Sequence, residues 1–440
     1  MTGRPHPLDV AFLAAMEGYP PTTRWEMAFQ YTVLGPVPTA AELRRRAEEL
    51  VARLPFLALR LHGPAGARRW APDPFDAAEQ VAVVEAVDAD HQQALARTWL
   101  DEPLDVPGPA WRLRIVHTPG AAGFTVVHTV HHALQDGLAA ARTGLALLGC
   151  TPRPAPVRPR PAARRHAADL VRLAARTAAD VTRGLAYRPG PFPFLTGRPG
   201  PMRVVDLPLA RLKAIGARSG GTANDVFLGA VGTAVAHWAT ACGLDLAELP
   251  VLVPLDARHP TEQTWHGLQH GNRLFSTRLL LPGQGVSPAE RLARVIRALH
   301  HRTVTARHAV QDTVRYLPAS VARTAVRLFS APGYSAAIVS SCPLPAHTPP
   351  DGLRVVSFLA RGPLTPGHLL AVVLSGDGEQ ARICFHPDAG LPCPEALVDG
   401  WWRALAELET ALLEGSGAVA GPGGVRPGRP RPRRGRSGSG

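Results

Sequence analysis

The chain's apolar positions fall into blocks with clear periods. Phe124–Val130, FTVVHTV, is apolar at most positions and predicts a buried strand. A polar turn follows, His131 to Gly137, and then apolar residues at helical spacing predict a helix from about Leu138 to Leu148. Upstream, the pattern predicts a short opening helix over Pro7–Tyr19, a strand over Trp25–Leu34 and an amphipathic helix over Thr39–Leu54. Strands are expected at Pro55–Leu61 and from Leu113 to His117, with Leu104 and Trp111 as core landmarks.

Downstream, Thr151–Ala162 is rich in Pro and Arg and reads as an extended linker. A helix is expected over Ala163–Tyr187, with Arg165, Arg172, Arg176 and Arg183 on one face. A basic amphipathic helix suits either a membrane surface or a solvated crossover between domains. Strands follow at Met202–Leu207, Val251–Arg258 and Ala336–Pro345, and a hairpin with a Gly-rich turn begins at Leu369. Helices follow at Leu209–Ala217, at Ala223–Ala241 behind the N-cap Thr222, at Ser287–Arg302 and at Pro394–Leu413. The Gly/Pro/Arg-rich stretch 415–440 reads as disordered.

A length of 440 residues allows a large core and predicts two domains. The boundaries expected are 1–150, a basic linker and crossover at 151–200, 201–414, and the tail. The net charge of +13 is concentrated in two places, +7 over Thr151–Gly190 and +6 over Gly421–Gly440. The remainder is balanced, which argues against a nucleic-acid-binding face. No apolar run approaches the roughly 18 residues of a membrane span, and Asp9 interrupts the only apolar part of the first residues, so no signal peptide is expected. Five scattered cysteines without a CxxC argue against a disulfide framework or zinc knuckle, and a cytoplasmic location is the expectation.

The turn carries the chemistry. His131 and His132 sit at a strand end, a rigid mount that can hold an imidazole within reach of a bound hydroxyl. Asp136 is near enough to brace the turn, and Gly137 would permit a tight backbone. Two other readings stand beside this one. His128, His131 and His132 have ligand-like spacing, although no acidic or cysteine partner for a metal is evident nearby. A histidine pair without chemistry in the core is the other. No GxGxxG, Walker A or GxSxG string is present.

HHxxxDG between a strand and a helix resembles the motif of the chloramphenicol acetyltransferase-like superfamily. Further strings resemble the wax ester synthase/diacylglycerol acyltransferase family within it: PLD at Pro7, NDV with Asn224 and Asp225, Gly271-Asn272, and SPAERL at Ser287. Where that family has "SNvPGP", this chain keeps Ser340 but has Ser341 for Asn and Leu344 for Gly. The resemblance implies an α/β (α+β) fold of two similar subdomains, each with a mixed sheet, around a shared tunnel. It implies His132 as the catalytic base, with His131 and Asp136 beside it. Asp136 would be mainly structural and held by an arginine, for which Arg258 is the candidate. Asn224, Asp225, Asn272 and Ser340 are candidates for positioning substrate.

The resemblance also implies an acyl-CoA-dependent O-acyltransferase. Acyl-CoA would be a co-substrate, with no resident cofactor or metal, and an alcohol or diacylglycerol would be the acceptor. Peripheral contact with a membrane or lipid body is a further expectation. An enzyme of the same fold using a carrier-bound donor, or a non-catalytic binding protein, are the alternatives.

Overall fold

The computed structural model describes residues 23–63, 69–105, 108–153, 192–256, 271–299 and 333–414, with isolated positions between them that include Arg258. The basic helix of the linker and the basic tail lie outside the described residues, as does most of the opening helix.

Two mixed sheets organise the chain. Their strands are β1 (Glu26–Leu34), β2 (Val81–Glu85), β3 (Trp111–His117), β4 (Gly123–His131), β5 (Arg203–Pro208), β6 (Glu248–Asp256), β7 (Leu274–Pro282), β8 (Ala337–Pro343), β9 (Arg354–Arg361), β10 (Leu370–Gly376) and β11 (Gln380–Pro387). The first sheet has the order β9-β1-β4-β3-β2, and the second β7-β6-β8-β10-β11-β5. The helices are α1 (Ala40–Arg53), α2 (Ala89–Asp101), α3 (Gly137–Leu147), α4 (Leu209–Ser219), α5 (Ala223–Ala241) and α6 (Glu395–Glu409), with one more over 288–299.

The sheets do not follow the two halves of the chain. β9, from the second half, pairs antiparallel with β1 and so completes the first sheet. Just before it, His347–Thr348 pairs with Thr151–Pro152 at the end of the first half. The hydrophobic pattern assigned no element to β2, β7, β9 or α2. Pro55–Leu61 also differs from expectation. Proline at the first position favours a tight helical turn, and Pro55–Ala58 is one, with the strand confined to Leu59–His62.

Helix starts follow local chemistry. Thr39 with Glu42, and Thr222 with Asp225, form reciprocal capping boxes. α5 is buried along most of its length, and Trp238 and Trp401 pack in the core of the second sheet. The neighbouring Trp402 is exposed, with the Arg211 guanidinium over its ring at 5.6 Å. The other large core fills the first sheet on the α1/α3 side and includes Trp111, whose indole N–H donates to the Leu57 carbonyl at 2.8 Å. Cys342 and Val373 of the second half belong to that same core.

α3 rests on the first sheet at Gly144. A β-carbon there would sit 2.6 Å from Tyr31 Oη, and Tyr31 is fully buried and donates to the Ala141 carbonyl at 2.9 Å. Gly144→Ala should therefore force the helix off the sheet and cost about 1–3 kcal/mol, read as a lower urea midpoint at unchanged slope.

Three buried histidines make the fold acid-sensitive. Burial pushes His128 and His386 down to about 3 and His368 to about 4. Each is neutral when folded, whereas the unfolded chain takes up protons below the ordinary value of 6.5. Stability should thus fall as pH drops from there, by about 1.4 kcal/mol per pH unit for each histidine. Urea titrations across that range should show the slope, and His128→Gln should reduce it by one histidine's share.

Candidate active site

The end of β4 sets the two histidines in opposite situations. The backbone N–H of His131 donates to the Ala110 carbonyl at 2.8 Å, and that of His132 donates to the Trp25 carbonyl at 3.0 Å. Both are held by neighbouring strand ends. The His131 ring is 2 % exposed and meets Trp70 edge to face at 5.9 Å. Its Nδ1 accepts from the Ala133 N–H at 3.3 Å. His132 is half-buried and keeps access to solvent. His128 lies three residues before His131, and strand alternation turns it to the other face. Its ring lies among Phe29 and Trp111, beneath α3. The spacing that suggested three ligands therefore does not bring three rings together. Among the described residues, no group of three His, Cys, Asp or Glu is placed to hold a metal ion.

Asp136 terminates the turn and is fully engaged. Arg258 Nη2 donates to its Oδ1 at 2.8 Å and to its Oδ2 at 2.6 Å. The Arg273 N–H donates to Oδ2 at 2.8 Å. The Ala139 N–H donates to Oδ1 at 3.1 Å, which makes Asp136 the N-cap of α3. Burial alone pushes this carboxyl up, but the Arg258 charge and these hydrogen bonds outweigh it and hold the group below its ordinary value. Arg258 is itself braced by Asp256, whose Oδ1 accepts from its Nη1 at 3.1 Å. The arginine expected from sequence is thus the partner found, across 122 residues of chain.

A second strap runs beside the ion pair. The Gly271 N–H donates to the Leu134 carbonyl at 2.6 Å, and Gln135 forms a parallel bridge with Gly271. Gly271 has φ +90°, a backbone region that favours glycine. Asn272 is fully buried, and its Nδ2 donates to the His132 carbonyl at 3.0 Å. Asn272 was expected against substrate; here it grips the histidine backbone. Burial lowers the His132 ring's pKa, while its own carbonyl, the Asp136 charge and the Asn272 side chain pull the other way. The net shift is downward, so the ring is neutral near pH 7 and able to accept a proton.

Other expected residues lie elsewhere or act differently. Gly137 is not needed for a tight backbone. A β-carbon there would lie 3.7 Å from Cys342 Sγ and 3.9 Å from Met27 Sδ, which is ordinary contact, and its φ is not positive. Asp225 closes its capping box with Thr222 at 2.8 Å, and Asn224 lies half-buried beside it at the start of α5. Among the described residues, no hydrogen bond ties either to the histidine turn. Ser340 lies half-buried in β8, in register with Val373 of β10. Two residues on, Cys342 is buried, and burial followed by the Asp136 charge pushes its thiol up to about 12, so it is no nucleophile. Sequence reasoning missed Asp256 and Arg273, which brace the ion pair, and Arg142, which faces it from α3. Asp256 sits two residues before Arg258, and its acidic character was the one available signal.

The sequence matches no family model and no curated protein. Its fold is shared with solved structures. The wax ester synthase/diacylglycerol acyltransferase from Marinobacter aquaeolei VT8 superposes with a TM-score of 0.57 at 17% identity, over 89% of this chain and 95% of that one. The first condensation domain of the CDA synthetase gives 0.61 at 20% identity, over 93% and 96%. The starter condensation domain of rhizomide synthetase RzmA, solved with C8-CoA, gives 0.60 at 16% identity, over 93% and 94%. The chain has the two-lobed chloramphenicol acetyltransferase-like condensation fold. Among its described residues, no helix is long and apolar enough to cross a membrane.

The buried ion pair generates a direct test. Asp136→Asn leaves Arg258 desolvated against a neutral group and should cost about 3–5 kcal/mol. Urea denaturation checks the loss, and Arg258→Met should give a loss of the same order.

Proposed function

We propose that this protein is an acyltransferase in which His132 acts as general base, moving an acyl group from a thioester to a hydroxyl acceptor. One observation carries the reading. His132 is the less buried ring of the adjacent pair, its backbone is held by the Trp25 carbonyl, and burial keeps the ring neutral near pH 7. The imidazole takes the acceptor's proton as the hydroxyl oxygen attacks the thioester carbonyl. The C–S bond then breaks, and the imidazolium returns the proton to the departing thiolate. No covalent enzyme intermediate is required. Cys342, the thiol nearest the turn, is held protonated by burial, as are Cys150 and Cys384, all pushed up to about 12.

The donor of first choice is acyl-CoA, with an alcohol or diacylglycerol as acceptor. The PLD and NDV strings favour it. A carrier-borne donor is the second reading. It is supported by the equally good superposition of condensation domains and by Ser341 and Leu344, which replace the lipid-family residues at the end of β8. Turnover of free acyl-CoA without any carrier protein separates the two.

His132→Ala should lower the rate by at least about 10²- to 10⁴-fold with circular dichroism and urea midpoint unchanged. The wild-type rate should fall on acidification with a midpoint below the ordinary histidine value of 6.5, because the folded ring's pKa is depressed. Near-normal turnover in the variant would remove the assignment of the base.

A further inference from the structure

The cysteines show no paired spacing in the sequence, but the fold brings two of them together. Cys242 is the C-cap of α5 and is half-buried. Its thiol donates to the Pro392 carbonyl at 3.7 Å, and Trp238 of the same helix donates its indole N–H to that carbonyl at 2.7 Å. Cys393 follows Pro392 directly, so its backbone begins beside the Cys242 sulfur. Its side chain turns the same way, and the two thiols are hydrogen-bonded to each other. The other three cysteines, Cys150, Cys342 and Cys384, are buried.

Cys393 is the exposed member of the pair. Its φ is +45°, the only positive value on a non-glycine residue among the described residues. A side chain is costly there, and glycine would fit better. Pro392 and Pro394 flank it and limit the neighbouring φ angles. The Cys393 carbonyl accepts from the Ala396 N–H at 3.0 Å at the start of α6. The thiol is thus held against its partner, which removes much of the entropic cost of joining them. Burial raises the Cys242 thiol above its ordinary value, and the Cys393 thiol beside it adds to the effect. Exposed Cys393 therefore meets a reagent from solution first, and Cys242 acts second.

We propose that Cys242 and Cys393 form a redox-active modification site, which closes to an intramolecular disulfide on reaction with a low-molecular-weight disulfide such as oxidised glutathione. The Cys393 sulfur, as thiolate, attacks the glutathione disulfide, forms a new S–S bond and releases one glutathione thiol. The Cys242 sulfur then attacks the Cys393 sulfur and releases the second. The two protein thiols lose two electrons and two protons, and the glutathione disulfide gains them. In a reducing compartment the pair rests as thiols and closes under oxidising conditions. The new bond joins the end of α5 to the start of α6 and encloses the chain from β6 to β11. That stretch carries Arg258, Gly271 and Asn272, which hold the histidine turn. A disulfide across a long loop restricts the unfolded chain, so the oxidised protein resists unfolding more. This chemistry is independent of acyl transfer.

The test uses the full chain, reduced and treated with a metal chelator. It would be incubated at a series of oxidised-to-reduced glutathione ratios, alkylated under denaturing conditions and mapped by mass spectrometry. Wild type should lose two of its five alkylatable thiols together, along with the mass of two hydrogen atoms. One peptide pair should link Cys242 to Cys393, and dithiothreitol should reverse every change. The urea midpoint should rise on oxidation and return on reduction. Cys242→Ser should stop at one glutathione on Cys393, and Cys393→Gly should form no crosslink, with no rise in either. Glycine suits the backbone at position 393, so reduced Cys393→Gly should match or exceed the wild-type midpoint, which separates loss of the disulfide from loss of the fold. The proposal is overturned if wild type keeps all five thiols, if its reaction stops at the glutathione adduct, or if the crosslink joins two chains.

Discussion

A carboxylate and a guanidinium held out of water set the geometry of this protein. Arg258 and Asp136 are 1 % and 5 % exposed as side chains and meet at 2.6 Å. In such a setting each charge is tolerated only because the other is in place, and because backbone donors and a second carboxylate occupy the remaining positions. The pair joins residues far apart in the chain, so the histidine turn cannot adopt its shape until both halves are assembled. The backbone N–H of Gly271 and the side-chain amide of Asn272 also hold this turn. Presentation of His132 is therefore a consequence of tertiary assembly, although the motif is contiguous.

The interleaving of the sheets reinforces this dependence. β9 belongs to the second half by sequence and to the first sheet by hydrogen bonding. Its last residue, Arg361, is fully buried. Burial pushes that guanidinium down, while the charges of Asp101 at the end of α2 and Glu26 at the start of β1 pull it back up. Glu26 is in register with His131. A second set of charges, with Glu26 and Arg361 buried, thus lies one strand pair from the turn. The Arg258–Asp136 pair holds the seam between the halves at the histidine turn, as the proposed role of His132 as a base requires.

The division of labour within HHxxxDG follows from burial and not from residue type. His131 and His132 are chemically identical, but one ring is buried against Trp70 and the other is only half-buried. Asp136, an acid that could serve as a base elsewhere, is saturated with donors and held ionised. Gly137, which looked like a steric necessity, has room for a side chain, whereas Gly144, seven residues on, does not. The tight approach of α3 to its sheet lies at the helix middle, where Tyr31 and His128 come up from below.

Local chemistry alone determined several things. The strand–turn–helix unit, the capping boxes at Thr39 and Thr222, the helices α1, α4, α5 and α6, and the identity of the histidine turn were legible because each depends on residues within a few positions of one another. Arg258 could be named as a candidate partner only through the family resemblance, which implies an arginine against Asp136. β2, β7, β9 and α2 were not legible, because their periodicity is shared with surfaces contributed by distant segments. Nor could the sequence tell which histidine is the more deeply buried, or that Asn272 grips the turn. Those depend on which atoms are excluded from water and which donors reach them, and only the packing of the two halves against each other decides that.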